Sequence, residues 1–221
     1  MTRFSRFLSD LAAVEVSERA CNQYSRTTGD LRGNAIRRRN LRLYLESLDP
    51  RVMLIGEAVS YRGGRLTGIP FTSETIMLSW DGAFRKATDG PRLSTEASAT
   101  MVWGTIANFD PLPLLWNAFP FHPFVAGNSF SNRLPTSAEL AIGAPFIVRL
   151  IRLFAIEEVV AIGNAASASL TRLGIPHDKI RHPSQGGKQK FVAGMAKVST
   201  ERAVAGGEGI PRSARDDTVA R

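Results

Sequence analysis

Three runs in this chain are apolar almost without interruption, and each leads into a polar group or a turn. Val52-Met53-Leu54-Ile55 runs into Gly56-Glu57, Leu112-Pro113-Leu114-Leu115-Trp116 into Asn117, and Val159-Val160-Ala161-Ile162 into Gly163-Asn164. A fourth, shorter segment, Lys179-Ile180-Arg181-His182, ends on an imidazole. A strand that is apolar at every position has both faces covered, which is the situation of strands in a parallel sheet. Between these runs lie stretches whose apolar residues return at the helical period. The alternation predicts an α/β fold, a three-layer α/β/α sandwich around a central, mainly parallel four-stranded sheet. Ligands in such sheets bind beyond the carboxyl ends of the strands. Glu57, Asn117, Gly163, Asn164 and His182 are therefore expected on one rim.

The helical pattern predicts helices over 3–14, from about Asn34 to Leu48, from a Ser94 cap to about Ala107, and from Thr136 to Phe154. Thr136 and Glu139 have the spacing of a capping box. Two further helices are expected from Asn164 to Leu173, closed by Gly174, and from Gly187 to about Arg202. Segments 57–92 and 118–135 read mainly as loops, the first with a helical start after Thr72. Residues 1–205 are expected to form a single domain, with N-terminal helices over 1–50 and the sheet core over 51–205. Residues 206–221 hold few apolar side chains and read as a disordered tail.

Composition narrows the classes. Of 221 residues 43% are apolar, enough for a sizeable core. No run reaches the ~18–20 apolar residues of a membrane helix. The N-terminus carries Asp10 and Glu15 and lacks the apolar core of a signal peptide, so a cytoplasmic location is expected. A single cysteine, Cys21, excludes an internal disulfide and any metal centre built on several thiolates. No cofactor or metal is expected. The formal charge of +8 favours a polyanionic partner. Part of the excess clusters at Arg32, Arg37, Arg38, Arg39 and Arg42, and part at Arg181, Lys188, Lys190 and Lys197.

The segment 52-VMLIGEAVSYRGGRLTGIPFTSE-74 admits two readings, a phosphate loop or the wall of a pocket for something flat. GRLTG does not fit the nucleoside-triphosphate loop, and neither G-x-G-x-x-G after a strand nor G-x-S-x-G is present. Glu57 at the end of a buried strand is costly unless paired or functional. Pro70 fixes its own backbone and restricts Ile69, so the chain entering Phe71 is stiff and its ring suits a flat heterocycle. The Asn117 amide offers one donor edge and one acceptor edge. His182 opens Pro183-Ser184-Gln185-Gly186-Gly187 and then a helix carrying Lys188 and Lys190, where free N–H groups, small residues and cations suit a phosphate.

With these residues in hand, the chain resembles the uracil-DNA glycosylase superfamily. The matching pieces are GEAVSYRGGRLTGIPFTSE (56–74), LLWNAFPFHP (114–123), VVAIGNAAS (159–167) and HPSQGGK (182–188), in the family's order across the region from about Arg51 to Ala203. Gly56-Glu57-Ala58 looks most like the bacterial branch whose members hold an iron–sulfur cluster; the cluster cysteines are absent, which points to a cluster-free group beside it.

The resemblance implies excision of uracil, and of other deaminated bases if the pocket is broad, from single- or double-stranded DNA by a monomeric enzyme that leaves an abasic site. Phe71 would stack on the flipped base, Asn117 would read its edge, and His182 would stabilise the departing anion. Ala58, Tyr61, Gly163 and Asn164 would border the base. Ser184, Gln185, Gly186, Gly187, Lys188 and Lys190 would hold DNA. The family's water-positioning Asp is Ala58 here, which leaves Glu57, or backbone with Asn117, for that task. Gln185 or aromatics of 119–124 would fill the gap in the duplex. A binder of uracil-containing DNA without turnover, or a nucleoside hydrolase, are the alternatives.

Overall fold

The computed structural model describes residues 3–80 and 82–205, with side chains as far as Val198. The tail expected over 206–221 lies outside the described residues. The chain order is α1 (Ser5–Ala13), β1 (Ala20–Cys21), α2 (Leu31–Glu46), β2 (Val52–Ala58), α3 (Gly64–Thr67), α4 (Glu74–Leu78) and α5 (Ala97–Ile106). It continues with β3 (Leu114–Phe119), β4 (His122–Pro123), α6 (Ser137–Phe154), β5 (Glu158–Ile162), α7 (Asn164–Arg172), β6 (Asp178–Ile180) and α8 (Lys188–Ala205). No helix among the described residues is long and apolar enough to cross a membrane.

The main sheet has the order β3-β2-β5-β6, and every pairing in it is parallel. The apolar runs form its strands as expected, because β2, β3 and β5 are covered on both faces. Helices flank the sheet. Phe7 of α1 meets Trp116 of β3 at 5.7 Å and Phe146 of α6 at the same distance, edge to face. Gly143 of α6 lies so close to the Ala118 carbonyl that a Cβ there would overlap it. This glycine sets how near α6 lies to β3. The α6 N-terminus carries the expected capping box between Thr136 and Glu139.

Several boundaries differ from the sequence expectation, for identifiable reasons. β2 continues through Ala58, so Glu57 sits inside the strand. β6 stops at Ile180, and His182 lies two residues beyond it. α2 starts earlier, at Leu31, because Asp30 caps it by accepting from the Gly33 amide at 2.9 Å. Ser94 serves α4 instead of α5: its hydroxyl and carbonyl accept from the Glu74 and Thr75 amides, its own amide donates to Glu74, and α5 begins only after Glu96. The 118–135 segment is more ordered than a loop. β3 runs to Phe119, and β4 pairs antiparallel with β1.

Candidate active site

At the carboxyl end of the sheet lies a cavity of about 700 Å³. Its walls include Glu57 and Ala58 from β2, Phe71, Asn117 from β3, Gly163 and Asn164 at the start of α7, and His182, Ser184 and Gln185 after β6. The parallel register explains why these residues meet. Gly56 is directly opposite Asn117 across β2 and β3, and the strand that ends at Ile162 delivers Gly163 beside them.

Gly56 is the hinge of the arrangement. A Cβ there would strike the tip of the Phe71 ring and would lie 2.7 Å from Asn117 Oδ1. Glycine thus lets an aromatic ring and an amide converge over one point of the strand. Phe71 is held with φ 52°, the left-handed region that side chains with a Cβ disfavour. Asn117 is almost fully buried, yet its amide forms no side-chain hydrogen bond among the described residues. A buried amide that keeps both its donor and its acceptor for the cavity is the expected form of a ligand-reading group.

His182 has a defined tautomer. The Ser184 amide donates to His182 Nδ1 at 3.1 Å, and the Ser184 hydroxyl lies 2.7 Å from the same nitrogen. An N–H group only donates, so Nδ1 is the acceptor and the ring proton sits on Nε2. Burial, reinforced by the Arg181 charge, holds the imidazole below its ordinary pKa. The ring is therefore neutral near pH 7 with an N–H to offer. Gly187 closes the turn, since a Cβ there would overlap the His182 carbonyl. Gln185 and Gly186 are both left-handed, at φ 52° and 73°.

Glu57 is half-buried and has no cation partner among the described residues; burial pushes its carboxyl up. A second carboxyl faces the same cavity. Glu96 precedes α5 without capping it. It accepts from Ser98 Oγ at 2.7 Å, and its carboxyl lies where a Cβ of Gly63 would be. Burial pushes this group up too, partly offset by the Ser98 and Ser60 hydroxyls. Sequence reasoning missed Glu96, because nothing in its neighbourhood marks the approach to Gly63. Asn132, Arg133, Leu134 and Arg181 also line the cavity. Arg133 was likewise missed; it forms with Glu139 a bidentate pair at 2.6 and 2.7 Å that holds the 124–135 segment against α6.

Other expected site residues fall elsewhere. Tyr61 does not line the cavity; its amide donates to Asn132 Oδ1 and its ring lies under the Arg62 guanidinium. Gly186, Lys188 and Lys190 are exposed beyond the rim, while Gly187 is buried beneath His182. Phe119 and Phe121 are fully buried in the core and are unavailable to a DNA gap. Much of the first arginine cluster is engaged internally. Arg37 donates to Leu66 O and Asn34 Oδ1, Arg38 to the Tyr24 and Ser25 carbonyls, and Arg39 to the Ala83 carbonyl.

Comparisons with known proteins bear on the family and the fold. The family model described as the uracil DNA glycosylase superfamily matches residues 44–201. The solved structure of Pedobacter heparinus SMUG2 superposes with a TM-score of 0.63 at 16% sequence identity, covering 93% of this chain and 99% of that one. At that identity the likeness speaks for the fold alone. No curated protein sequence matches. Because the family model spans all four strands of the sheet and every cavity residue named above, the chain belongs to the uracil-DNA glycosylase superfamily.

Proposed function

We propose that this chain removes uracil from DNA by hydrolysing the N-glycosidic bond, leaving an abasic site. The observation that carries this reading is the meeting of Phe71, the unpartnered Asn117 amide and the neutral His182 in one cavity above Gly56. An enzyme acting on a base takes it out of the stack, then holds it by its face and its edge. The Phe71 ring supplies the face and the Asn117 amide the edge. As the C1′–N1 bond breaks, its electron pair goes to the base. The His182 Nε2–H stabilises that developing anion, and a donor aimed at charge that forms only in the transition state accelerates the step.

The oxygen of water then bonds to C1′ and must lose a proton. Glu57 is our assignment for accepting it, since burial raises its proton affinity and no cation competes for its charge. Ala58 beside it has no group to offer. No lysine among the described residues lines the cavity, so a Schiff-base route is not part of the reading. DNA phosphates are assigned to the α8 start, where Lys188 and Lys190 are exposed. The test is release of free uracil from a uracil-containing oligonucleotide over many turnovers. Retention of DNA without turnover would indicate a binder, and release from deoxyuridine but not from DNA a nucleoside hydrolase.

A further inference from the structure

Phe71 occupies a backbone conformation that a residue with a Cβ leaves unless something holds it. Pro70 stiffens the approach, but it does not fix the conformation of the residue after it. The Phe71 carbonyl accepts a hydrogen bond from the indole Nε1–H of Trp103 at 2.9 Å. Trp103 lies in α5, outside the segments that carry the motifs quoted above.

Trp103 is itself fixed. Its ring centroid lies 4.7 Å from that of Trp80. Trp80 stacks on Tyr44 of α2 at 6.3 Å with 19° between the planes. The Tyr44 hydroxyl in turn accepts the Leu115 amide of β3 at 2.9 Å. The strand that carries Asn117 is thus tied through three aromatic residues to the peptide that carries Phe71. Both sides of the slot above Gly56 share one frame.

We infer that Trp103 is a positioning residue: its N–H holds the Phe71 peptide in the left-handed conformation, so that the ring lies over Gly56 beside the Asn117 amide. The inference rests on the reading of Phe71 as the base-stacking surface. Without the donor, Phe71 relaxes to ordinary φ and the ring swings away from Gly56.

The test combines a double-mutant cycle with a structure. Trp103→Phe keeps an aromatic ring against Trp80 and removes the donor. Incorporating 3-benzothienylalanine at position 103 keeps the whole bicycle and removes only the N–H, which covers the case in which Trp103→Phe fails to fold. Uracil release is measured for the wild type, the position-103 variant, Phe71→Ala and the double variant, with melting temperatures alongside. Loss of one neutral hydrogen bond predicts a fall in kcat/KM of about tenfold at position 103. In the Phe71→Ala background the same change should cost less than about twofold, because the ring it positions is gone. A crystal structure of the position-103 variant should show Phe71 outside the left-handed region. An equal loss in both backgrounds, or a Phe71 φ that stays near its present value, would overturn the inference. If the wild type releases no uracil, the proposed function fails, while the Phe71 conformation still decides the role of Trp103.

Discussion

Gly56→Ala isolates the proposed base slot with a single methyl group. The new Cβ would overlap the Phe71 ring and approach Asn117 Oδ1 to 2.7 Å, closer than real Cβ contacts come. Gly56 is held within β2, in register with Asn117 of β3, so the two side chains must give way rather than the strand. Overpacking of this kind costs about 1–3 kcal/mol. Replacing a strand glycine returns roughly 0.5–1 kcal/mol of backbone entropy. The net loss is about 0–2.5 kcal/mol, which for a domain of this size lowers the melting temperature by up to about 10 °C. Activity should suffer far more, because both displaced groups hold the base in the proposed mechanism. A displacement near 1 Å costs on the order of 100-fold in rate. The assay is kcat/KM for uracil release at a temperature well below the transition. A folded Gly56→Ala protein with activity within about threefold of wild type would refute the placement of the base above Gly56.

Further expectations follow from other parts of the structure. His182→Ala should lower kcat by about 10²–10³ with little change in undamaged-DNA affinity, measured by single-turnover kinetics and filter binding; a loss below about fivefold would remove His182 from the assigned role. Arg133 holds the Glu139 carboxyl down to about 2. A depressed carboxyl stabilises above its unfolded pKa, and that contribution is lost as pH falls toward the folded value. The melting temperature of wild type should therefore drop more steeply between about pH 4.5 and 2 than that of Glu139→Gln, and parallel curves would contradict this. Leu134 lines the cavity mouth yet is 70% exposed, and Arg133 bonds its carbonyl. An apolar group presented so firmly suits insertion into the gap of a flipped duplex. Leu134→Ala should lower excision from double-stranded DNA several-fold and leave single-stranded DNA unaffected; equal losses on both substrates would sink that assignment.

The sheet was legible because burial on both faces writes itself as uninterrupted apolar residues. Glu57, Asn117 and Asn164, which follow those apolar runs, and His182 were found in sequence and do line one cavity. Tyr61 stands outside the cavity, its backbone held by Asn132, 71 residues away, and its ring against Arg62. Glu96 lines the cavity with its carboxyl against Gly63, a contact between distant segments that leaves no local pattern. Part of the basic excess falls on the α2 arginines, yet Arg37 and Arg38 satisfy carbonyls of neighbouring segments. Local periodicity shows which face of an element is apolar, and it is silent on long side chains that bridge distant turns.

In the proposed function the slot between Phe71 and Asn117 works on uracil in DNA. The most direct measurement incubates the purified chain with a uracil-containing oligonucleotide in large excess and follows free uracil together with alkali-labile abasic sites. Equal amounts of both products are expected, with many turnovers per enzyme and a rate reduced at least 100-fold by Asn117→Asp. Absence of uracil release by a folded, DNA-binding wild-type protein, or full activity in Asn117→Asp, would contradict it.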